Sequence, residues 1–387
     1  MVVLPRLLEG GLGAVGLGED APSLRRSSLS WMSTATPEQQ LFEAARRGDE
    51  DAYRPLVEPH RGELHAHCYR MLGSVHDAED ALQEALVRAW RGLPRFERQS
   101  ALRSWLYKIA TNTCLDEIAR RPKRILPSDY GPSADPHDSP GEPLVESVWV
   151  EPYPDEMLGT EDGFAGPEAR YEQRESLELA FIAALQHLPP NQRAALILRE
   201  VLGFSAAEVA ESLEISVASV NSALQRARKT IDERLPEQSQ QATLRALDDV
   251  RVRELVEGYT QALQDGDVDA LVGMLTEDAA WSMPPVTGWF RGPEAVAAFL
   301  SDYPLRERWR HVPTRANGQL AVGCYMWNED AGRYDAAVLD VLTLRGAQIE
   351  AVTGFLAPWV TRRFGEAPEL MSAEVFRRFG LPEAVPA

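Results

Sequence analysis

Residues 188–235 read LPPNQRAALILREVLGFSAAEVAESLEISVASVNSALQRARKTIDERL, which predicts three short helices joined by tight turns. Apolar residues recur at helical spacing in the first segment, and Gly203 ends it. Ser205 and Glu208 have the capping-box spacing, so a second helix begins there. Ser216 begins the third helix after a short turn. The stretch therefore predicts a helix-turn-helix.

The third helix carries the side chains that a DNA-reading helix requires. Small or hydrogen-bonding residues at its start suit base edges, and cations further along suit phosphates. The outward positions are Ser219, Ser222, Gln225, Arg226, Arg228 and Lys229. On this stretch alone, an ordinary helical hairpin with a basic end is the alternative.

Length and composition restrict the classes of protein to which this chain can belong. A chain of 387 residues predicts two or three domains. The scattered cysteines Cys68, Cys114 and Cys324 favour a reducing cytoplasm over a disulfide framework or a zinc site. No window approaches twenty consecutive apolar residues, so a membrane span is excluded. We expect a cytoplasmic protein with no cofactor, no metal and no membrane partner.

The net charge of −19 disfavours a nucleic-acid binder, but its distribution does not. Residues 37–84 hold 5 Lys/Arg against 11 Asp/Glu, and residues 85–124 hold 10 against 3. Residues 125–172 hold 1 against 12. The pattern predicts one acidic face, one basic face and an acidic spacer.

Residues 1–37 are interrupted by glycines, which excludes a signal peptide and predicts disorder. We expect the natural start at Met32. Residues 38–124 are predicted to be helical throughout.

Two of the helices predicted in residues 38–124 carry charged or aromatic side chains that suit binding to a partner. The helix after Ser74 directs an acidic face outward. The helix from Ala101 to Arg121 combines cations with Trp105 and Tyr107, which suits phosphate neutralisation and the stacking of unpaired bases.

The segment DAEDALQEALVRAWRGLPRFERQSALRSWLYKIATNTCLDEIARR, residues 77–121, closely resembles the second conserved region of sigma-70-family factors of the extracytoplasmic-function group. Residues 188–235 resemble their fourth region, in the expected order. The resemblance implies a promoter-specificity subunit that binds the beta and beta-prime subunits of core RNA polymerase and promoter DNA. It implies no catalytic activity.

The resemblance also assigns roles to matching positions. The polymerase-binding positions are Asp77, Asp80, Gln83 and Glu84. The positions that capture flipped bases of the −10 element are Phe96, Arg98, Ser100, Arg103, Trp105, Lys108 and Asn112. The positions that read the −35 element are Ser216, Ser219, Asn221, Ser222, Gln225, Arg226, Arg228 and Lys229. For Trp105, a place in the core is an equal alternative.

The resemblance divides the chain into region 2 over residues 38–124, an acidic Pro-rich linker over 125–168 and region 4 over 169–235. The linker composition cannot bury enough apolar surface to fold alone. It contains LVESVWVEPYPDEML, residues 144–158, which can follow a basic polymerase channel as an extended ribbon; a solubilising tether is the alternative. The PYPDEML sequence resembles an actinobacterial subgroup with a C-terminal extension.

Residues 245–387 form the extension. Two amphipathic helices are predicted up to Pro285, then a third over residues 292–303, then three to four antiparallel strands. This order resembles the SnoaL-like cone. The predicted fold class is therefore multidomain: two all-α sigma domains, a helical bundle and a helix-turn-helix, plus a C-terminal α+β SnoaL-like cone-shaped barrel.

The cone fold encloses a pocket but does not define a function. Candidate pocket residues are Trp281, Met283, Trp289, His311, Tyr325, Trp327 and Asp340. A His311–Asp340 pair suits acid–base chemistry, although nothing in the sequence forces the two together. The alternative is regulatory: the domain docks on the sigma domains, and a small-molecule ligand biases that docking.

The tail holds RRFG twice, at residues 362–365 and 377–380, and these clusters either pack on the acidic linker or close the cone. Two further functions stay open. One is an enzyme of the C-terminal fold recruited to DNA, and the other is a repressor that binds duplex DNA without polymerase. The acidic helix of residues 77–84 favours the polymerase subunit, because a repressor does not need it.

Overall fold

The computed structural model describes residues 37–96, 101–144, 148–158, 172–366 and 371–387. The predicted start at Met32 lies outside the described residues, as does the predicted disorder over residues 1–37 except at Pro37, where α1 begins. Within these ranges, no helix combines the length and the apolar character needed to cross a membrane.

The first unit is a bundle of helices built around α3. The helices are α1 (Pro37–Arg46), α2 (Glu50–Val57), α3 (Arg61–Leu72), α4 (Val75–Gly92) and α5 (Leu102–Ile118). Nearly every residue of α3 from Leu64 onward is buried, because α4 and α5 both pack against it. Gly73 ends α3 with a φ of +70°, and Gln186 approaches within 3.1 Å of where a Cβ would lie. Only glycine fits that position without strain.

The second unit contains the predicted helix-turn-helix. After α6 (Pro127–Tyr130) in the linker come α7 (Leu179–Gln186), α8 (Pro190–Leu196, extended by a π-helical turn over Ile197–Val201), α9 (Ala206–Ser212) and α10 (Val217–Asp232). The capping box of Ser205 and Glu208 is present, and Ser216 accepts from the Ser219 amide. Gly203 has a φ of +73°. These sequence predictions are confirmed.

The third unit packs helices on one curved sheet. Its helices are α11 (Gln240–Ala246), α12 (Asp249–Asp265), α13 (Val268–Gly273), α14 (Pro293–Asp302), α15 (Pro358–Thr361) and α16 (Ala373–Arg377). Its strands are β1 (Leu275–Ser282), β2 (Trp289–Arg291), β3 (Trp309–Ala316), β4 (Gln319–Asn328), β5 (Arg333–Arg345), β6 (Gln348–Leu356) and β7 (Ala384–Val385). The strand order is β2-β1-β6-β5-β4-β3, and β7 pairs with β5.

The prediction that helices extend up to Pro285 is wrong at β1. Residues Leu275–Ser282 form a strand that runs parallel to β6 and pairs with β2. Ala279 and Trp281, two positions apart, both point into the core of this unit. That spacing of two is the strand period, and the strand is held by its pairing with β6.

The linker is not a free tether, so that alternative is wrong for its described part. Trp149, Val150 and Tyr153 are buried, and they contribute the apolar surface that the rest of the linker lacks. The Val150 amide donates to the carbonyl oxygen of Ile125 at 3.1 Å, which pairs two linker strands. The linker therefore folds against its neighbours.

One apolar core joins all three units. It runs from α3 and α4 through Val150 and Tyr153 of the linker into α7–α10. It continues to the outer face of β4 and β5, including Tyr325 and Leu339, and to the tail at Phe376. A separate core fills the inner face of the sheet under α12–α14.

Candidate nucleic-acid interface

The acidic face of α4 is only partly available to a partner. Asp80, Gln83 and Glu84 are exposed, as predicted. Asp77 is buried and forms ion pairs with Arg121 and Arg124, so the prediction that it faces outward is wrong. A buried carboxylate in this position neutralises the two guanidinium groups of the segment that follows α5.

Glu151 of the linker holds the first turn of α4. Its carboxylate accepts from the Ser74 hydroxyl at 2.8 Å, the Val75 amide at 2.9 Å and the His76 ring at 2.9 Å. Arg124 lies 3.3 Å away. Burial alone would raise the pKa of Glu151, but the His76 hydrogen bond and the Arg124 charge hold it below its ordinary value. The linker thus satisfies the free amides of a helix N-terminus.

The predicted −10 positions fall into two groups. Phe96 is buried, with its ring centroid 4.6 Å from that of Trp105 and 5.8 Å from that of Phe42. The Phe96 ring is therefore packed in the core in this conformation, whereas Trp105 is half-buried against that core, and both of its alternatives stay open. Arg98 and Ser100 lie outside the described residues.

The other −10 positions lie on α5, and two of them, Arg103 and Lys108, contact the helix-turn-helix. The Arg103 guanidinium lies over the rings of Tyr107 and Phe204, at 4.8 and 5.4 Å from their centroids. The Lys108 ammonium donates to the Glu211 carbonyl oxygen at 3.3 Å. Asn112 is half-buried further along α5. The two cations are therefore occupied by contacts within the chain.

The predicted −35 face of α10 is open to solvent. The exposed residues are Ser216, Ser219, Asn221, Ser222, Gln225, Arg226, Arg228 and Lys229. The buried face of the same helix includes Val220, Leu224 and Ala227. Arg228 donates to Glu200 at 2.6 Å. Small polar side chains and cations are therefore exposed on one side of α10, while the opposite side packs in the core.

Family models match three segments of the chain. They are Sigma-70 region 2 over residues 56–124, Sigma-70, region 4 over residues 178–231 and SnoaL-like domain over residues 256–352. The ECF RNA polymerase sigma factor SigG of Mycobacterium tuberculosis is 41% identical over 348 residues, covering 88% of this chain and 86% of that protein. The chain belongs to the extracytoplasmic-function (ECF) RNA polymerase sigma factors.

Other members of the ECF group are more distant or shorter. The ECF RNA polymerase sigma-E factor of Escherichia coli is 30% identical over 204 residues, covering 53% of this chain and 97% of that protein. The crystal structure of the extracytoplasmic-function sigma factor SigJ of Mycobacterium tuberculosis has 22% identity and a TM-score of 0.49, covering 79% of this chain and 96% of that chain.

This ECF sigma factor binds core RNA polymerase, recognises promoter DNA and initiates transcription. It is an initiation factor and not an enzyme, so the predictions of a sigma factor and of a noncatalytic role are confirmed. The repressor and recruited-enzyme alternatives are wrong.

The C-terminal domain contacts both sigma regions through the turn between β3 and β4. The Asn317 side chain donates to the Tyr69 hydroxyl at 2.9 Å and to the Leu177 carbonyl oxygen at 2.8 Å. Its amide oxygen accepts from the Tyr153 backbone at 2.8 Å. Asn317 has a φ of +56°, a conformation that asparagine tolerates better than most residues. One buried side chain thus joins α3, the linker and the lead-in to α7.

Sequence reasoning did not identify Asn317 as functional. The signal was present, because Asn317-Gly318 between two apolar segments is the strongest short-range indicator of a hairpin turn. The sequence indicated the turn, but not that the turn would be buried against α3.

The second RRFG cluster of the tail reaches the linker, and the alternative that it packs on the linker is confirmed. Arg378 and Phe379 line a small crevice with Glu151 and His76. In the first cluster, Arg363 pairs with Glu307 of the C-terminal domain at 2.9 Å, and Gly365 lies close to Pro143 of the linker.

The predicted pocket residues divide between the two faces of the sheet. Trp281, His311 and Asp340 line a cavity on the inner face, together with Met283. Trp289 does not line it; its ring nitrogen donates to the Gly131 carbonyl oxygen in the linker. Tyr325 lies on the outer face, because it alternates with the cavity residues Cys324 and Met326 along β4. The prediction is wrong for Trp289 and Tyr325, and Trp327 is also outside the cavity.

Proposed function

We propose that the C-terminal domain of this ECF sigma factor keeps the two promoter-reading surfaces together in a closed state, and that the factor must open before it can initiate. The contact of Lys108 with Glu211 carries this proposal. A cation assigned to the −10 element is bound instead to the helix-turn-helix of the same chain.

Distances in DNA support the need for opening. Elements at −10 and −35 lie roughly 25 base pairs apart, which is about 85 Å at 3.4 Å per base pair. The 16-residue helix α10 is only about 24 Å long. Because α5 touches the helix-turn-helix directly, both surfaces cannot engage their elements at once in the closed state.

The C-terminal hairpin supplies the restraint in this proposal. Asn317 hydrogen-bonds to region 2, to the linker and to the segment before α7. The Gln319 side chain accepts from the Leu179 amide at 2.8 Å, and Asp155 accepts from the Gly318 amide at 2.7 Å. Opening exchanges these buried bonds for hydrogen bonds to water, and each exchange costs about 0.5–1.5 kcal/mol.

In the open state, the roles implied by the family resemblance apply. Asp80, Gln83 and Glu84 bind the beta-prime and beta subunits of core polymerase, with Asp77 retaining its internal pairs. Arg103, Lys108 and Asn112 contact the −10 element, and the exposed face of α10 reads the −35 element. The site of action is the DNA in the cell interior.

Run-off transcription tests the proposal with purified core polymerase and genomic promoter fragments. Full-length protein is compared with a version that ends at Leu235. We expect both to start at the same site and the shorter version to give more transcript. Equal transcript at every factor concentration would contradict restraint by the C-terminal domain.

A further inference from the structure

A cavity of about 440 Å³ lies inside the C-terminal sheet, apart from the surfaces assigned to DNA and polymerase. Cavities of about 300–1,000 Å³ are typical of small-molecule sites. Most of its wall is apolar and comes from Trp281, Met283, Phe299, Leu300, Met326 and Val338. A strongly charged or highly polar ligand would lose its hydration there without replacement.

Besides the ion pairs of Asp302 with Arg306 and of Glu307 with Arg363, the polar side chains of Asp340 and His311 line the cavity. Asp340 is buried, and its carboxylate accepts from the Tyr259 hydroxyl at 2.9 Å and from the Cys324 thiol at 3.3 Å. His311 lies opposite Cys324 in the β3–β4 ladder and also lines the cavity. Among the described residues, the buried Nδ1 atom of His311 has no hydrogen-bond partner. A buried nitrogen without a partner is uncommon and indicates a missing one.

Burial shifts the pKa values of both His311 and Asp340. Burial, with a smaller contribution from Arg310, lowers the pKa of His311 to about 4. The ring is therefore neutral at pH 7, with one nitrogen that donates and one that accepts. Burial raises the pKa of Asp340 to about 6, against the hydrogen bonds from Tyr259 and Cys324. The cavity thus presents acceptors together with one neutral donor–acceptor ring.

We propose that this cavity binds a neutral, largely apolar ring compound whose single hydroxyl group hydrogen-bonds with Asp340 and His311. A hydroxyl can donate to the carboxylate and still accept or donate at the imidazole. The apolar walls bury the rest of the molecule.

The rim of the cavity also holds the interdomain linker. Asp302 and Tyr303 line the cavity. The Asp302 carboxylate lies 3.3 Å from the ring of His137, and the Tyr303 hydroxyl donates to the Asp138 carbonyl oxygen at 3.3 Å. A ligand that contacts this rim therefore binds better when the rim is ordered against the linker, and it stabilises the docked linker.

The docked linker is also fixed through its backbone. The Ala134 amide donates to the Trp289 carbonyl oxygen at 2.7 Å, and the Leu144 amide donates to the Pro285 carbonyl oxygen at 3.0 Å. We infer that ligand binding reinforces the closed state. This second step rests on the proposed function, whereas the binding step does not.

A matched pair of probes tests the binding step in the full-length protein. 4-Phenylphenol and 4-methylbiphenyl have the same rings and differ only in hydroxyl against methyl. Tryptophan fluorescence reports binding, because Trp281 and Trp309 line the cavity. We expect the phenol to bind about tenfold more tightly, since a site with polar groups discriminates against an analogue that leaves them unpaired. Equal affinities, or no binding of the phenol, would overturn the proposal.

Asp340→Asn should reduce the affinity for 4-phenylphenol severalfold, because it replaces a charge-assisted hydrogen bond with a neutral one. Asp335→Asn is the control, because Asp335 lies on the same strand but bonds to Asn328 and Arg333 outside the cavity. The control should bind like the wild type. A wild-type affinity in a folded Asp340→Asn variant would count against the assigned contact.

Hydrogen exchange tests the coupling step. Saturating 4-phenylphenol should slow exchange of the Ala134 and Leu144 amides in the full-length protein. Unchanged exchange at saturation would overturn the coupling while leaving the binding result intact. Because neither measurement contains polymerase or DNA, failure here is distinguishable from failure of the proposed closed state.

Discussion

The side-chain amide of Asn317 donates to the hydroxyl of Tyr69 across a separation of 248 residues. Tyr69 in turn donates to the carbonyl oxygen of Glu151 at 2.7 Å. This chain of bonds connects the hairpin of the C-terminal domain, the centre of α3 and the linker residue that caps α4. The relationship makes the closed state dependent on a few buried polar groups.

Asn317→Gly should favour the open factor, because it removes three side-chain hydrogen bonds while glycine keeps the left-handed backbone. We expect the closed state to lose roughly 2–4 kcal/mol, at about 1 kcal/mol for each bond and more where a partner stays unpaired. At a limiting concentration of the sigma factor, the variant should give more run-off transcript than the wild type. Small-angle X-ray scattering should show a larger radius of gyration.

Asn328→Gly is the control for Asn317→Gly. Asn328 is in the next hairpin, and its side chain bonds to Asp335 and Ala331 within the C-terminal domain. The Asn328→Gly variant should give the wild-type amount of transcript and the wild-type radius of gyration. A folded Asn317→Gly variant as compact and as inactive as Asn328→Gly would argue against the restraint.

Asp80→Arg should weaken binding to core polymerase about tenfold or more, because it places a cation where an exposed carboxylate meets a basic partner surface. Biolayer interferometry with purified core enzyme measures the affinity. Asp330→Arg makes the same charge change in an exposed turn of the C-terminal domain and should bind normally. Undiminished binding of Asp80→Arg would remove α4 from the interface.

Arg226→Ala should reduce the salt dependence of duplex DNA binding. Each lost phosphate contact lowers the slope of log K against log salt concentration by about 0.9. Arg228→Ala should have a smaller effect, because Glu200 already pairs with Arg228. Arg251→Ala, on the exposed side of α12, is the control. A slope that is the same for Arg226→Ala and the control would refute a phosphate contact.

Docking of the linker on α4 should depend on pH in two opposite ways. The pKa of the Glu151 carboxyl is lowered in the folded chain. Its contribution to the stability of the docked linker is therefore complete above the ordinary carboxyl value of 4.5 and is lost as the pH falls. The hydrogen bond to Glu151 raises the pKa of His76. The contribution of the His76 imidazolium to the stability of the docked linker is therefore complete below the ordinary value of 6.5 and is lost as the pH rises. Docking should be strongest between these two values.

The difference in melting temperature between wild type and His76→Gln measures this effect across pH 4–9. The difference should be largest below pH 6.5 and should shrink at higher pH, when the wild-type imidazole becomes neutral. A difference that is constant across the range would show that the His76 charge does not contribute.

Local patterns in the sequence predicted most of the elements that carry function. The caps at Ser205 and Ser216, the turn at Gly203 and the exposed face of α10 all depend on neighbouring residues. Their conformations are set within a few positions along the chain. The same reasoning failed at β1, where pairing with the distant β6 decides the conformation.

Side-chain environment was less predictable than secondary structure. Asp77 and Asp80 both read as outward acidic positions, yet only Asp80 is exposed. The difference depends on Arg121 and Arg124, which approach Asp77 from the segment between α5 and the linker. Helical spacing shows which face a residue is on, but not which distant group covers that face.

Periodicity, caps and characteristic motifs are local, so the amino-acid sequence was enough to predict the sigma regions, their order and the helix assigned to duplex DNA. The contact of Lys108 with Glu211, the bonds of Asn317 to three parts of the chain and the shared cavity of His311 and Asp340 became visible only in the folded chain. Those contacts depend on how the faces of separate elements pack together, and the free energy of that packing is shared among residues far apart in the chain.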